Sequence, residues 1–69
     1  MHVKPISHPA SPVRWVVYVT RDDYPDQALT YASGVCRTRD DAVREARLAS
    51  LTARSYGYDP VPYVGDEAV

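Results

Sequence analysis

Between positions 14 and 56 the apolar residues change their spacing from every second position to every third or fourth, which orders the elements as two strands followed by one helix. Val13–Arg21 (VRWVVYVTR) is rich in β-branched and aromatic residues. Its alternation puts Val13, Trp15, Val17 and Val19 on one face and Arg14, Val16, Tyr18 and Thr20 on the other. Residues 22–27 (DDYPDQ) interrupt the pattern with turn-forming Asp and Pro, and are expected to form a hairpin loop. Residues 28–37 alternate again. Leu29, Tyr31, Ser33 and Val35 share one predicted face, and the small Ala28, Thr30, Ala32, Gly34 and Cys36 share the other. Gly34 is read as a bulge or a point of close backbone approach, with a bulge shifting the alternation after it.

Thr38 is placed to cap a helix, and Asp40 and Asp41 suit the positive end of its dipole. The helix is expected to run to about Tyr56 and to end at Gly57 in the left-handed conformation. Ala42, Ala46, Ala49, Ala53 and Tyr56 fall on one narrow stripe, with Val43 and Ser50 beside it. A stripe of small residues lets a helix sit close to a sheet, and its expected complement is Trp15, Val17, Val19, Leu29, Tyr31 and Val35. The expected fold is therefore α+β: a small two-layer domain of ββα order, an antiparallel hairpin packed on one α-helix, with room for a third edge strand from either terminal segment.

The flanks read differently. Residues 1–12 carry Pro5, Pro9 and Pro12 and suit an extended or disordered arm. The domain is expected over 13–57, and residues 58–69 are expected to form an acidic tail. That tail holds Tyr58, Val61, Tyr63 and Val64, but Pro60 and Pro62 argue against a central strand, leaving it to fold back or serve as an edge.

A chain of 69 residues buries only about 60% of its unfolded surface, so its core is thin and a staple is expected. Cys36 is the only cysteine, which excludes an internal disulfide and leaves the usual zinc sets without ligands. A homo-oligomer or a protein partner becomes the expected staple. Nothing in the sequence has the length and hydropathy of a signal segment or a membrane span, so a soluble cytoplasmic protein is expected. Lys4 is the only lysine beside seven arginines, a bias typical of GC-rich coding such as that of actinobacteria and their phages, and the chain reads as phage or mobile-element encoded. Residues 13–56 carry seven Arg and six acids, whereas 57–69 carry three acids and no base. So balanced a charge gives no long-range attraction to nucleic acid or anionic membranes.

The residues that carry chemistry form no catalytic set. Asp22, Asp23 and Asp26 lack the glycine and terminal glutamate of a calcium loop, and read as solvated turn formers. His2 and His8 sit in the Pro-rich arm with nothing to align them as a metal pair. Cys36 has only Arg37 and Arg39 as nearby activators and reads as a small strand residue. There is no nucleophile motif and no glycine-rich phosphate loop, so the protein is expected to be no enzyme and to use no cofactor or metal.

Two binding surfaces follow. Leu48 and Leu51 fall on a side of the helix away from the stripe and, with Tyr58, Val61 and Tyr63, are the expected contact with a protein partner or with a second copy in a homodimer. Arg14, Tyr18, Arg37, Arg47 and Arg54 are the alternative, a nucleic-acid contact in which Tyr18 stacks a base. Residues 15–53, with the helix opening Thr38-Arg39-Asp40-Asp41-Ala42, loosely resemble HicB-like antitoxin domains, and the strands before a helix loosely resemble the arm-site DNA-binding domains of phage integrases. The first group usually adds a further strand and a DNA-binding segment and the second has a strongly basic sheet; none of these is evident in the sequence, and neither family is assigned.

Overall fold

The strand β1 (Val13–Arg21) runs through the interior of the sheet, hydrogen-bonded on both sides. A computed structural model describes residues 12–21 and 24–69. In chain order β1 is followed by β2 (Tyr24–Cys36), α1 (Arg39–Ser55), β3 (Asp59–Val64) and β4 (Glu67–Ala68). The four strands form one antiparallel sheet in the order β2-β1-β3-β4. The protein is a small α+β domain of one antiparallel sheet and one helix, and its order is ββαββ, with the carboxyl segment inside the sheet rather than appended to it. The segment 1–11, with His2 and His8, and the turn residues Asp22 and Asp23 lie outside the described residues.

The expected hairpin loop over 22–27 is shorter, because β2 begins at Tyr24, which pairs with Arg21. The ladder then slips before Thr20 meets Ala28, and this irregularity absorbs the residues of the expected loop. A second irregularity decides the faces of β2. Val17 pairs with Ala32 and Tyr18 with Thr30, so Tyr31 is the extra residue of a β-bulge. Before the bulge, Leu29 lies across from the buried Val19, on the helix side. After it, Ala32, Gly34 and Cys36 lie across from Val17, Trp15 and Val13, while Ser33 and Val35 pair with Val16 and Arg14 on the opposite face. The expected large face of β2 is thus corrected: Leu29 and Tyr31 belong to the helix side, Ser33 and Val35 do not.

Gly34 is the point of close approach rather than the bulge. A Cβ added there would stand 2.7 Å from Trp15 Nε1 and 2.8 Å from Trp15 Cε2, so the indole occupies the space a side chain would need. Trp15, partly buried, packs against a core made of Val17, Ala42, Ala46 and Val64.

The helix presents Ala42, Ala46, Ser50 and Ala53 as its buried stripe, and Ser50 satisfies its hydroxyl by donating to the Ala46 carbonyl at 2.8 Å. Ala49 is only half-buried, and Tyr56, expected on the stripe, is exposed because it caps the helix with non-helical backbone. Thr38 is the N-cap, its Oγ1 accepting from the Asp41 N–H at 3.1 Å. At the other end Gly57, with φ of 87°, lets its own N–H reach the Arg54 carbonyl and the Tyr58 N–H reach the Ala53 carbonyl, which closes a Schellman motif.

β3 holds two prolines without losing its bonds to β1. The Val69 N–H donates to the Pro62 carbonyl at 3.0 Å, so the polar main-chain groups of Pro62 point away from β1, and Pro60, two residues earlier, has the same orientation. The missing N–H groups therefore fall on the side that β1 does not use. Pro60 and Val64 are buried toward the helix, and Val61 and Tyr63 point to the other face. A two-residue turn, with positive φ at Gly65 alone as in type II′, joins β3 to β4. Arg39 on α1 reaches Glu67 on β4 at 3.0 Å, an exposed pair of small energetic weight.

Two stability outcomes follow from this packing. Ala46 is fully buried, so Ala46→Leu is expected to overpack the helix against the sheet and cost about 1–3 kcal/mol in urea unfolding. Gly34→Ala is expected to cost a similar amount, about 1–3 kcal/mol, by forcing the indole off its seat. Repeating Gly34→Ala in a Trp15→Val background should remove most of that cost, and an unchanged cost would show that the strain lies in the backbone instead.

Candidate functional site: the bare face of the sheet

Strand alternation sends one set of side chains to the helix and leaves the other set on a face that no described element covers. β1 contributes Val16, Tyr18 and Thr20, and β3 contributes Val61 and Tyr63 opposite Tyr18 and Val16. With Ala28, Gly65 and Asp66 these residues line an open depression of about 520 Å³. Tyr18 and Tyr63 are diagonal neighbours across β1 and β3, their ring centroids 5.7 Å apart and their planes at 75°, an edge-to-face pair. Val61 is 40% exposed and Val35, further along the same face, 59%.

Arg14 and Asp59 stand on this face through their pairing with Val35 and Thr20, and Asp66 adds a second carboxylate at the rim of the depression. The surface is thus apolar and aromatic at its centre, with charge of both signs at its margin. Such a surface binds by burial of apolar area and by tyrosine hydroxyls that retain a hydrogen-bonding tip. Among the described residues no group of three or more His, Cys, Asp or Glu side chains is placed to hold a metal ion, and no helix is long and apolar enough to cross a membrane.

The residues expected to contact a partner are divided by the fold among three places. Leu48 and Leu51 are 52% and 59% exposed on the helix, beside Val43, Arg44 and Arg47 in a second open depression. Val61 and Tyr63 lie on the bare face, across the sheet from the helix. Tyr58 stands against Tyr31, ring centroids 6.0 Å apart, on the side of the sheet that faces the helix. The nucleic-acid set is divided as well. Arg14 and Tyr18 belong to the bare face, Arg47 and Arg54 are exposed on the helix, and Arg37 is exposed between β2 and α1. Cys36 is half-buried opposite Val13 and packs on the core.

Grouping Tyr18 with Tyr63 escaped the sequence reading, although one signal for it was present: Val61 and Tyr63 alternate with Pro60 and Pro62, as in a strand with one proline face. The pairing itself is testable. A double-mutant cycle with Tyr18→Ala and Tyr63→Ala is expected to return a coupling of about 0.5–1.5 kcal/mol, and strictly additive losses would show that the rings do not touch in solution. Among known proteins, the chain matches no family model, and no curated protein or solved structure shows significant similarity to it.

Proposed function

We propose that the protein is a noncatalytic interaction module that docks on a larger protein through the bare face of its sheet. The observation that carries this reading is the apolar surface around the Tyr18–Tyr63 pair, which no described element covers, in a domain whose other sheet face is already committed to the helix. In so small a chain, leaving this much apolar area in water forgoes about 25 cal/mol for each Å² that a contact would bury. Tyrosine suits such a contact because it brings a large rigid area at low entropic cost.

The alternative, nucleic-acid binding, gains from the two tyrosines as a stacking platform. It loses from the charge pattern: Arg14 shares the face with Asp59 and Asp66, while Arg47 and Arg54 lie on the helix side. Salt response separates the two readings, since phosphate-driven binding weakens by about 10³–10⁵ between 50 and 200 mM salt at six to ten contacts and apolar docking does not.

The test is affinity purification from the source cells with the parent, with Tyr18→Ser/Tyr63→Ser and with Leu48→Glu/Leu51→Glu, each first shown to be folded by circular dichroism. A protein partner held at high salt, lost with the tyrosine variant and kept with the leucine variant, is the expected outcome. Loss with the leucine variant alone transfers the docking surface to the helix. Recovery of nucleic acid that salt removes favours the alternative.

A further inference from the structure

The two edges of the sheet are built in opposite ways. On the β3–β4 side the edge is blunted: β4 is two residues long and carries Glu67, and the outward main-chain positions of β3 include Pro60 and Pro62. Prolines, charge, short length and β-bulges are devices by which sheets avoid pairing with another strand. On the β2 side the bulge at Tyr31 is the one of these that operates beyond Asp26. From position 27 to position 36 the strand QALTYASGVC has no charged residue and no proline, none of its residues is fully buried, and among the described residues nothing pairs with its outer side. A strand of this kind presents a row of unpaired N–H and C=O groups, which is a template for another strand.

We infer that the occupant of this edge is a second copy of the same chain, with β2 pairing antiparallel to β2 about a two-fold axis at Ala32. The bulge at Tyr31 selects the register. Because of that one extra residue, Thr30 and Ser33 share the bare face, Leu29 and Gly34 share the helix face, and Ala28 and Val35 again share the bare face. Antiparallel pairs must share a face. A two-fold pairing that sets Thr30 opposite Ser33 of the second copy therefore also sets Leu29 opposite Gly34 and Val35 opposite Ala28. Each half-exposed apolar side chain then meets a small residue, and Leu29 and Val35 are 49% and 59% exposed in the single chain.

Charge closes the match at both ends. The uncharged run is bracketed by Asp26, in the irregularity before Ala28, and by Arg37, just past the end of β2, both exposed; antiparallel pairing therefore brings Asp26 of one copy to the end of the dimer that carries Arg37 of the other, twice in the dimer. Within one copy the two lie eleven positions apart along an extended segment, about 36 Å, beyond any direct pairing. The pairing stands on the free edge and not on the docking reading, so either fails without the other.

The experiment is sedimentation of the full chain over a micromolar concentration range, with Asp26→Arg, Arg37→Asp and the double variant. The parent is expected to dimerise. Each single variant places like charges opposite one another at both ends and should weaken the dimer about tenfold, and the double variant should restore it. The decisive mixture combines the Asp26→Arg chain with the Arg37→Asp chain, which should associate more tightly than either alone, because both end pairs are then complementary. Thr30→Lys/Ser33→Lys should leave a folded monomer. A monomeric parent overturns the inference, as does a dimer indifferent to these charges but broken by Tyr18→Ser/Tyr63→Ser or Leu48→Glu/Leu51→Glu.

Discussion

One extra residue in β2 governs how the rest of the molecule is arranged. With Tyr31 set aside as a bulge, the small residues Ala32, Gly34 and Cys36 turn toward the helix, directly across from Val17, Trp15 and Val13. Large side chains of β1 therefore face small ones of β2, and the Trp15 indole occupies the space over Gly34. Without the bulge the alternation would send Ser33 and Val35 to the helix side and Gly34 away, and the indole would meet a side chain where it now meets none. The helix depends on the same arrangement, since Trp15, Val13 and Cys36 pack against the cluster that Ala42 and Ala46 complete.

The alanine stripe and the strand prolines solve a common problem, how a thin core is closed with few residues. Ala42, Ala46 and Ala53 bring the helix close enough for Val17 and Val64 to be fully covered without any large helical side chain in the core. β3 supplies Val64 and Pro60 to that core while its prolines keep their missing N–H groups away from β1. The carboxyl segment is thereby a structural strand, and the helix surface bearing Leu48 and Leu51 receives no cover from it.

What the sequence made legible is what local physics determines. The alternation of β1, the Thr38 cap, the Gly57 stop and the burial of Ala42, Ala46 and Ala53 each rest on residues within a turn or a strand of one another. The bulge at Tyr31 has no such local mark. Tyrosine is an ordinary strand residue, and the extra position shows itself only across the sheet, where it sets Gly34 under Trp15. Pro60 and Pro62 misled for a related reason: a proline forbids a strand position only where its N–H would be used, and that depends on which side the neighbouring strand lies. The candidate site inherits both difficulties. Leu48 and Leu51 were legible as exposed from helical spacing alone, but Val61 and Tyr63 joined Tyr18 only once β3 was known to lie beside β1.

The asymmetry of the two sheet edges links the fold to its proposed use. Among the described residues a single helix covers one face of the four-stranded sheet, and no described element covers the other. Tolerating it in water is easiest when the face is polar, and here its centre is Val16, Tyr18, Val61 and Tyr63. A sheet with one blunted edge and one open edge grows in a single direction and stops after one addition, because two-fold pairing consumes the open edge of both copies and leaves only blunted ones outside. The inferred dimer is therefore a closed assembly instead of a filament. In it two copies of the Tyr18–Tyr63 surface would lie in one plane, so that a partner engaging both would gain effective concentration for the second contact without any new side-chain chemistry.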